Sequence, residues 1–110
     1  MRRSLRLSLV GGAAAVLLLL APTVGAQGEV DGREVYLANC AACHQGTGLG
    51  VSGSFPPLAG NENVGDTSYV KTVIVEGKTG PVEVLGVTYD GEMPAFPNLT
   101  TPEVAAVIEY

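Results

Sequence analysis

The feature that most constrains this chain is Cys40-Ala41-Ala42-Cys43-His44, because its two cysteines and its histidine are the only ones in 110 residues. Residues 33–44 contain neither Gly nor Pro, and Val35, Tyr36 and Ala38 suit a helix there. On a helix, positions i, i+3 and i+4 share one face, so two thiols and one imidazole are expected to point the same way. In an exported protein, Cys-x-x-Cys-His reads as covalent haem attachment. The thiols add across the two vinyl groups of haem b, and the neighbouring imidazole reaches the iron, so the expected cofactor is one haem c.

Three other readings of the motif fit less well. A thioredoxin-type pair follows a strand and opens a helix, whereas here the pair ends a helical pattern. A structural zinc site needs four ligands, and no Cys or His remains after His44. Two ordinary buried cysteines leave the adjacent histidine unexplained.

The first quarter of the chain has the pattern of an export signal. Arg2, Arg3 and Arg6 precede the apolar run Leu7–Ala21, and Val24-Gly25-Ala26 supplies the small residues of a cleavage site. A signal peptide over 1–26 and a domain over 27–110 are therefore expected, in the periplasm or another extracytoplasmic space. The alternative is an uncleaved anchor, but Gly11-Gly12 interrupts the run and Pro22 ends it, short of the roughly 20 residues of a spanning helix. No membrane span is expected after cleavage. Without the leader, three basic residues face eleven acidic ones, a formal charge of −8. Such a surface repels nucleic acid and anionic lipid and steers toward a partner with a basic rim. A domain of about 84 residues has a marginal core and commonly relies on a disulfide, metal or cofactor.

An iron held on one side by His44 has one other soft neutral donor available once Met1 leaves with the leader: Met93. It lies in Gly91-Glu92-Met93-Pro94-Ala95-Phe96, too rich in Gly and Pro for a helix interior and suited to a loop that presents a side chain. Histidine and methionine together raise the reduction potential and fill both axial positions. Elsewhere, residues 45–61 hold five glycines, two prolines and no charge, which predicts an irregular loop. A helix capped by Asp66 or Thr67 follows, with Tyr69, Val70, Val73 and Ile74 as its apolar stripe and Gly77 as its end. Pro81–Tyr89 alternates around Gly86 as a short hairpin, and Thr100-Thr101-Pro102-Glu103 starts a last helix.

These residues resemble class I c-type cytochromes, across nearly all of residues 27–110. The resemblance implies an all-α fold of three to four short helices around one haem, with the hairpin before the methionine loop. It also implies that Gly32 and Tyr36 cross against Val107 and Tyr110 of the last helix. A proline carbonyl, from Pro56 or Pro57, is implied to accept the His44 Nδ1 proton, and Leu58 to contact the haem. The family usually continues past the last-helix aromatic, so that helix is expected to be short or truncated at 110. The function implied is single-electron shuttling between a donor and an acceptor protein, by a monomer or a subunit of a redox complex, and not enzymatic turnover. Two rival functions are an electron-entry subunit of an exported dehydrogenase, nitrite reductase or haem-copper oxidase, and a haem peroxidase or gas sensor with Met93 dissociated.

Overall fold

The computed structural model describes residues 11–22 and 28–110. The basic start and the Val24–Ala26 cleavage pattern lie outside the described residues. Residues 11–22 form no helix or strand, and Val16 to Leu20 are 80–91% exposed. Among the described residues, no helix is long and apolar enough to cross a membrane.

Asp31 begins the first helix: its backbone is extended and its carboxylate accepts the Arg33 N–H at 2.8 Å, satisfying a donor that the helix itself cannot. This helix, α1 (Gly32–Asn39), buries Val35 and Tyr36. The helix expected over 33–44 is not continuous. At Cys40 (φ −113°) the chain bends, and α2 (Ala41–His44) begins. The bend keeps the spacing of the motif, because the Cys40 N–H still donates to the Tyr36 carbonyl at 2.8 Å. The N–H groups of Cys43 and His44 both donate to the Cys40 carbonyl, at 3.2 and 3.0 Å. One carbonyl serving donors three and four residues on is the tightening common at helix ends.

Residues 45–61 form the expected irregular loop, relieved by one bridge between Val51 and Phe55. The Asp66 carboxylate then accepts the N–H groups of Ser68 and Tyr69 and the Ser68 hydroxyl, and α3 (Thr67–Glu76) follows, ending at Gly77. Strands β1 (Val82–Val84) and β2 (Val87–Tyr89) pair antiparallel, Val82 with Tyr89 and Val84 with Val87. Leu85 and Gly86 between them both have positive φ, as the tight turn that matches strand twist requires. Val84 and Tyr89 are buried on one face, while Glu83 and Thr88 face outward. Both oxygens of Glu62 accept the Leu85 N–H at 3.2 Å, and Asn63 donates to the Glu83 carbonyl, which fastens the hairpin to the loop before α3.

The last helix, α4 (Thr101–Glu109), opens with a reciprocal cap. The Thr100 hydroxyl accepts the Glu103 N–H, and the Glu103 carboxylate accepts the Thr100 N–H at 2.7 Å. Pro102 occupies its second position, where no N–H is needed. It packs across α1: a Cβ at Gly32 would run into the Ala106 carbonyl oxygen and stand 2.6 Å from its carbon. Beside that contact, the rings of Tyr36 and Tyr110 lie 5.5 Å apart at 46°. Among the described residues the fold is thus four helices and one hairpin. The buried apolar side chains among these residues are Val35, Tyr36, Ile74, Val84, Tyr89 and Val104, of which only Val84 is fully buried, a thin set for a domain of this length.

Candidate functional site

The interior is thin because a cavity of about 500 Å³ occupies its middle. Cys40, Cys43, His44, Pro56, Leu58 and Met93 all line it. They come from the bend at Cys40 and α2, from the irregular loop and from the segment after the hairpin, so three distant stretches of chain meet around one space.

His44 is buried, 7% exposed, and its Nδ1 lies 2.8 Å from the Pro56 carbonyl oxygen. A carbonyl can only accept, so Nδ1 carries a proton, and in the neutral imidazole Nε2 then keeps the lone pair. That bond also orients the ring and strengthens Nε2 as a donor to a metal. The acceptor is Pro56; the neighbouring Pro57 carbonyl instead accepts from the Asn61 side chain at 2.9 Å.

Cys40 and Cys43 are half-buried free thiols. Burial pushes the Cys40 thiol up from its ordinary value, which keeps it neutral. Tyr36 brackets the motif from both ends: its carbonyl takes the Cys40 N–H, and its hydroxyl donates to the Gln45 carbonyl at 2.6 Å. Burial first, then the neighbouring Cys40 and Tyr110, raise the Tyr36 phenol above its usual range, so it remains a donor. Gln45, one residue past His44, has φ 65° and ψ 158°, a region that costs a residue with a side chain on the order of 1–3 kcal/mol.

Met93 is half-buried and held by its backbone. Its N–H donates to the Lys78 carbonyl at 2.8 Å, and its carbonyl accepts the Lys78 N–H at 3.0 Å. Three residues on, the Phe96 N–H donates to the Ile74 carbonyl at 2.9 Å. The segment is therefore strapped to the C-terminal end of α3.

The apolar stripe of α3 turns out to be cavity wall, with Tyr69, Val70 and Val73 lining the space and Ile74 buried beside them. Sequence reasoning missed Val84 and Tyr89 as cavity-lining residues. The alternation of 82–89 was the available signal, since it places both on one face. Among the described residues, no group of three or more His, Cys, Asp or Glu side chains is placed to hold a metal ion. The donor set does fit an iron porphyrin held through sulfur: an apolar space, two free thiols three residues apart, an imidazole with its lone pair on Nε2, and a thioether lining the same cavity.

The sequence profile of the Cytochrome c family matches residues 29–110. The chain is 40% identical over 87 residues to cytochrome c-552 of Thermus thermophilus, an alignment covering 74% of this chain and 66% of that protein. For the cytochrome c-552 of a second strain of the same species the identity is again 40%, over 58% of that protein's length. It is also 41% identical over 90 residues to the cytochrome c subunit of the quinone alcohol dehydrogenase of Gluconobacter oxydans, covering 78% of this chain and 18% of that subunit. The chain thus spans less than two thirds of the length of these relatives.

Proposed function

The chain belongs to the cytochrome c family, and from that premise we propose that it shuttles single electrons between redox proteins outside the cytoplasm. The family's cofactor is covalent haem c, which supplies, when bound, a one-electron couple between ferric and ferrous iron. Cys40 and Cys43 would hold it by two thioethers, which would prevent its loss by dissociation. His44, its ring oriented by the Pro56 carbonyl, would offer Nε2 to the iron. Met93 would offer its sulfur, and a thioether favours the ferrous state. Ile74, Val84 and Tyr89, all buried beside the cavity, exclude water and so keep the charge change in a dry surrounding.

The observation that carries this reading is that one cavity gathers the two thiols, the singly tautomeric imidazole and the only methionine outside the leader. In support of export, the sequence has a basic start, an apolar run and small residues at a cleavage site, the pattern of a removable leader over 1–26. Residues 45–61 and 93–102 carry no charge, and Leu49, Val51 and Phe55 are exposed there. They form a neutral, partly apolar docking face, with the acidic residues elsewhere steering a partner that has a basic rim.

The deciding experiment is purification of the exported protein, with a pyridine haemochrome spectrum and intact mass. One haem c per chain is expected. Because each thiol adds across a vinyl group without losing atoms, the mass should equal the leaderless chain plus one haem b. A colourless product with two titratable thiols, from cells competent for attachment, refutes the proposal. A weak sulfur-to-iron charge-transfer band in the ferric spectrum is expected from Met93, whereas a high-spin spectrum favours an open site of the peroxidase or sensor kind. Similarity to a dehydrogenase cytochrome subunit favours a second reading, electron entry for an enzyme complex, which stable copurification with that enzyme would establish.

A further inference from the structure

We infer that Gly50 and Gly77 are positioning residues, one for each of the two side chains proposed to bind iron, and the inference rests on that ligand reading. The Gly50 N–H donates to the His44 carbonyl at 2.9 Å, with φ +65°. A Cβ there would run into the Phe55 carbonyl oxygen and stand 2.7 Å from the Pro56 oxygen. That Pro56 oxygen is the one that meets His44 Nδ1. The loop can bring Pro56 onto the histidine only if position 50 has no side chain.

Gly77 does the same for the other ligand. It lies at the end of α3 with φ +75°, and a Cβ there would stand 2.7 Å from the Met93 carbonyl oxygen and 2.9 Å from the Ala95 nitrogen. The hydrogen bonds that strap residues 93–96 to α3 flank it on both sides, from Ile74 and from Lys78. At both positions the obstructing atoms are backbone, which cannot swing aside as a side chain can. Gly60 supplies the comparison: its φ is +71°, but nothing lies within 4 Å of its Cβ direction. Substitution at Gly60 meets the left-handed strain alone, whereas substitution at Gly50 or Gly77 meets strain and displaces a ligand's support.

The two displacements act on the iron in opposite senses. The Pro56 bond makes His44 a stronger donor, which favours ferric iron, so loosening it raises the reduction potential. The Met93 sulfur favours ferrous iron, so moving it away lowers the potential. General damage that lets water in would drive both variants the same way.

The test is redox titration and ferric spectroscopy of the exported holoprotein carrying Gly50→Ala, Gly77→Ala or Gly60→Ala. For Gly77→Ala, a weakened charge-transfer band is expected, with a ferrous-to-ferric ratio lowered about tenfold, equivalent to 59 mV for one electron. For Gly50→Ala the band should persist and the ratio should rise, by about threefold for the loss of one hydrogen bond to the histidine. Gly60→Ala should keep the wild-type values. Three variants that move alike, or two that do not move, overturn the inference. A wild-type spectrum without the band sinks the Met93 reading and the Gly77 half with it. A wild-type band that Gly77→Ala leaves intact sinks only the positioning role. Should Gly50→Ala or Gly77→Ala fail to accumulate, amide exchange in the wild-type holoprotein decides. The N–H groups of Gly50, Lys78, Met93 and Phe96 must exchange far more slowly than that of Gly60, and equal rates overturn the inference.

Discussion

Substituting Gly32 by Ala perturbs the close contact between α1 and α4, and the outcome can be worked from its geometry. The new Cβ would meet the Ala106 carbonyl group, with its carbon at 2.6 Å, and the Tyr110 Cβ at 3.1 Å. Cβ atoms do not approach other atoms closer than 3.0 Å, so α1 and α4 must part. A gap of about 0.5–1 Å forfeits a quarter to a half of the dispersion energy of each atom pair across it. Overpacking of this kind costs roughly 1–3 kcal/mol. Exchanging Gly for Ala returns at most about 1 kcal/mol of helix propensity, less at a first helical position. The net loss should be about 1–2 kcal/mol, which for a domain of this size lowers Tm by roughly 4–16 °C. Guanidinium unfolding of the holoprotein, followed by far-UV circular dichroism, should show a lower midpoint with an unchanged slope. Arg33→Ala at the exposed neighbouring position should stay within about 0.5 kcal/mol of wild type. If Gly32→Ala stays within that margin too, the tight crossing described here is wrong.

Other substitutions probe the turns and caps. Leu85 holds a positive φ that costs a residue with a side chain about 1–2 kcal/mol and is itself 58% exposed. Leu85→Asn should therefore raise stability by about 0.5–1 kcal/mol, and an unfolding midpoint that falls would refute the turn geometry. Thr100→Ala removes the hydroxyl of the α4 cap and should cost about 1 kcal/mol, with Thr100→Ser recovering most of it; equal midpoints for all three would show the cap to be idle. The Ser68 hydroxyl, and then the Tyr69 N–H, hold the Asp66 carboxyl below its usual range. Its folded pKa is depressed, so the stability it contributes is present above the unfolded value of about 3.9 and is lost as pH falls through the folded value. The midpoint difference between wild type and Asp66→Asn should accordingly shrink as pH is lowered from about 5 toward 2, and a constant difference would contradict the assignment.

The attachment motif, the α3 and α4 starts and the hairpin were legible in the sequence, because each rests on local spacing, a cap or a strongly marked residue type, whereas the Gly32 crossing was implied only by the family resemblance. The break at Cys40 was not legible. Residues 33–44 contain no Gly or Pro to mark a break, and at the bend one carbonyl is shared by two donors while the Gln45 carbonyl accepts the Tyr36 hydroxyl. The paired backbone bonds between Lys78 and Met93 were hidden for another reason: they join positions fifteen residues apart through main-chain atoms, on which side-chain identity bears little. Leu85 carried no signal either, since a leucine is a poor residue for its conformation and is held there by contacts from Glu62. Pro56 was legible only to within one residue, and the choice over Pro57 is made by Asn61, which occupies the other carbonyl.

The double grip of Tyr36 on residues 40 and 45 has a mechanical consequence. Its ring rests on Tyr110, the C-cap of α4, so any tilt of α4 is delivered, through one aromatic lever, to the segment that carries both thiols and the imidazole. Whatever presses on that helix from outside has a short, stiff route to the Cys40–His44 motif.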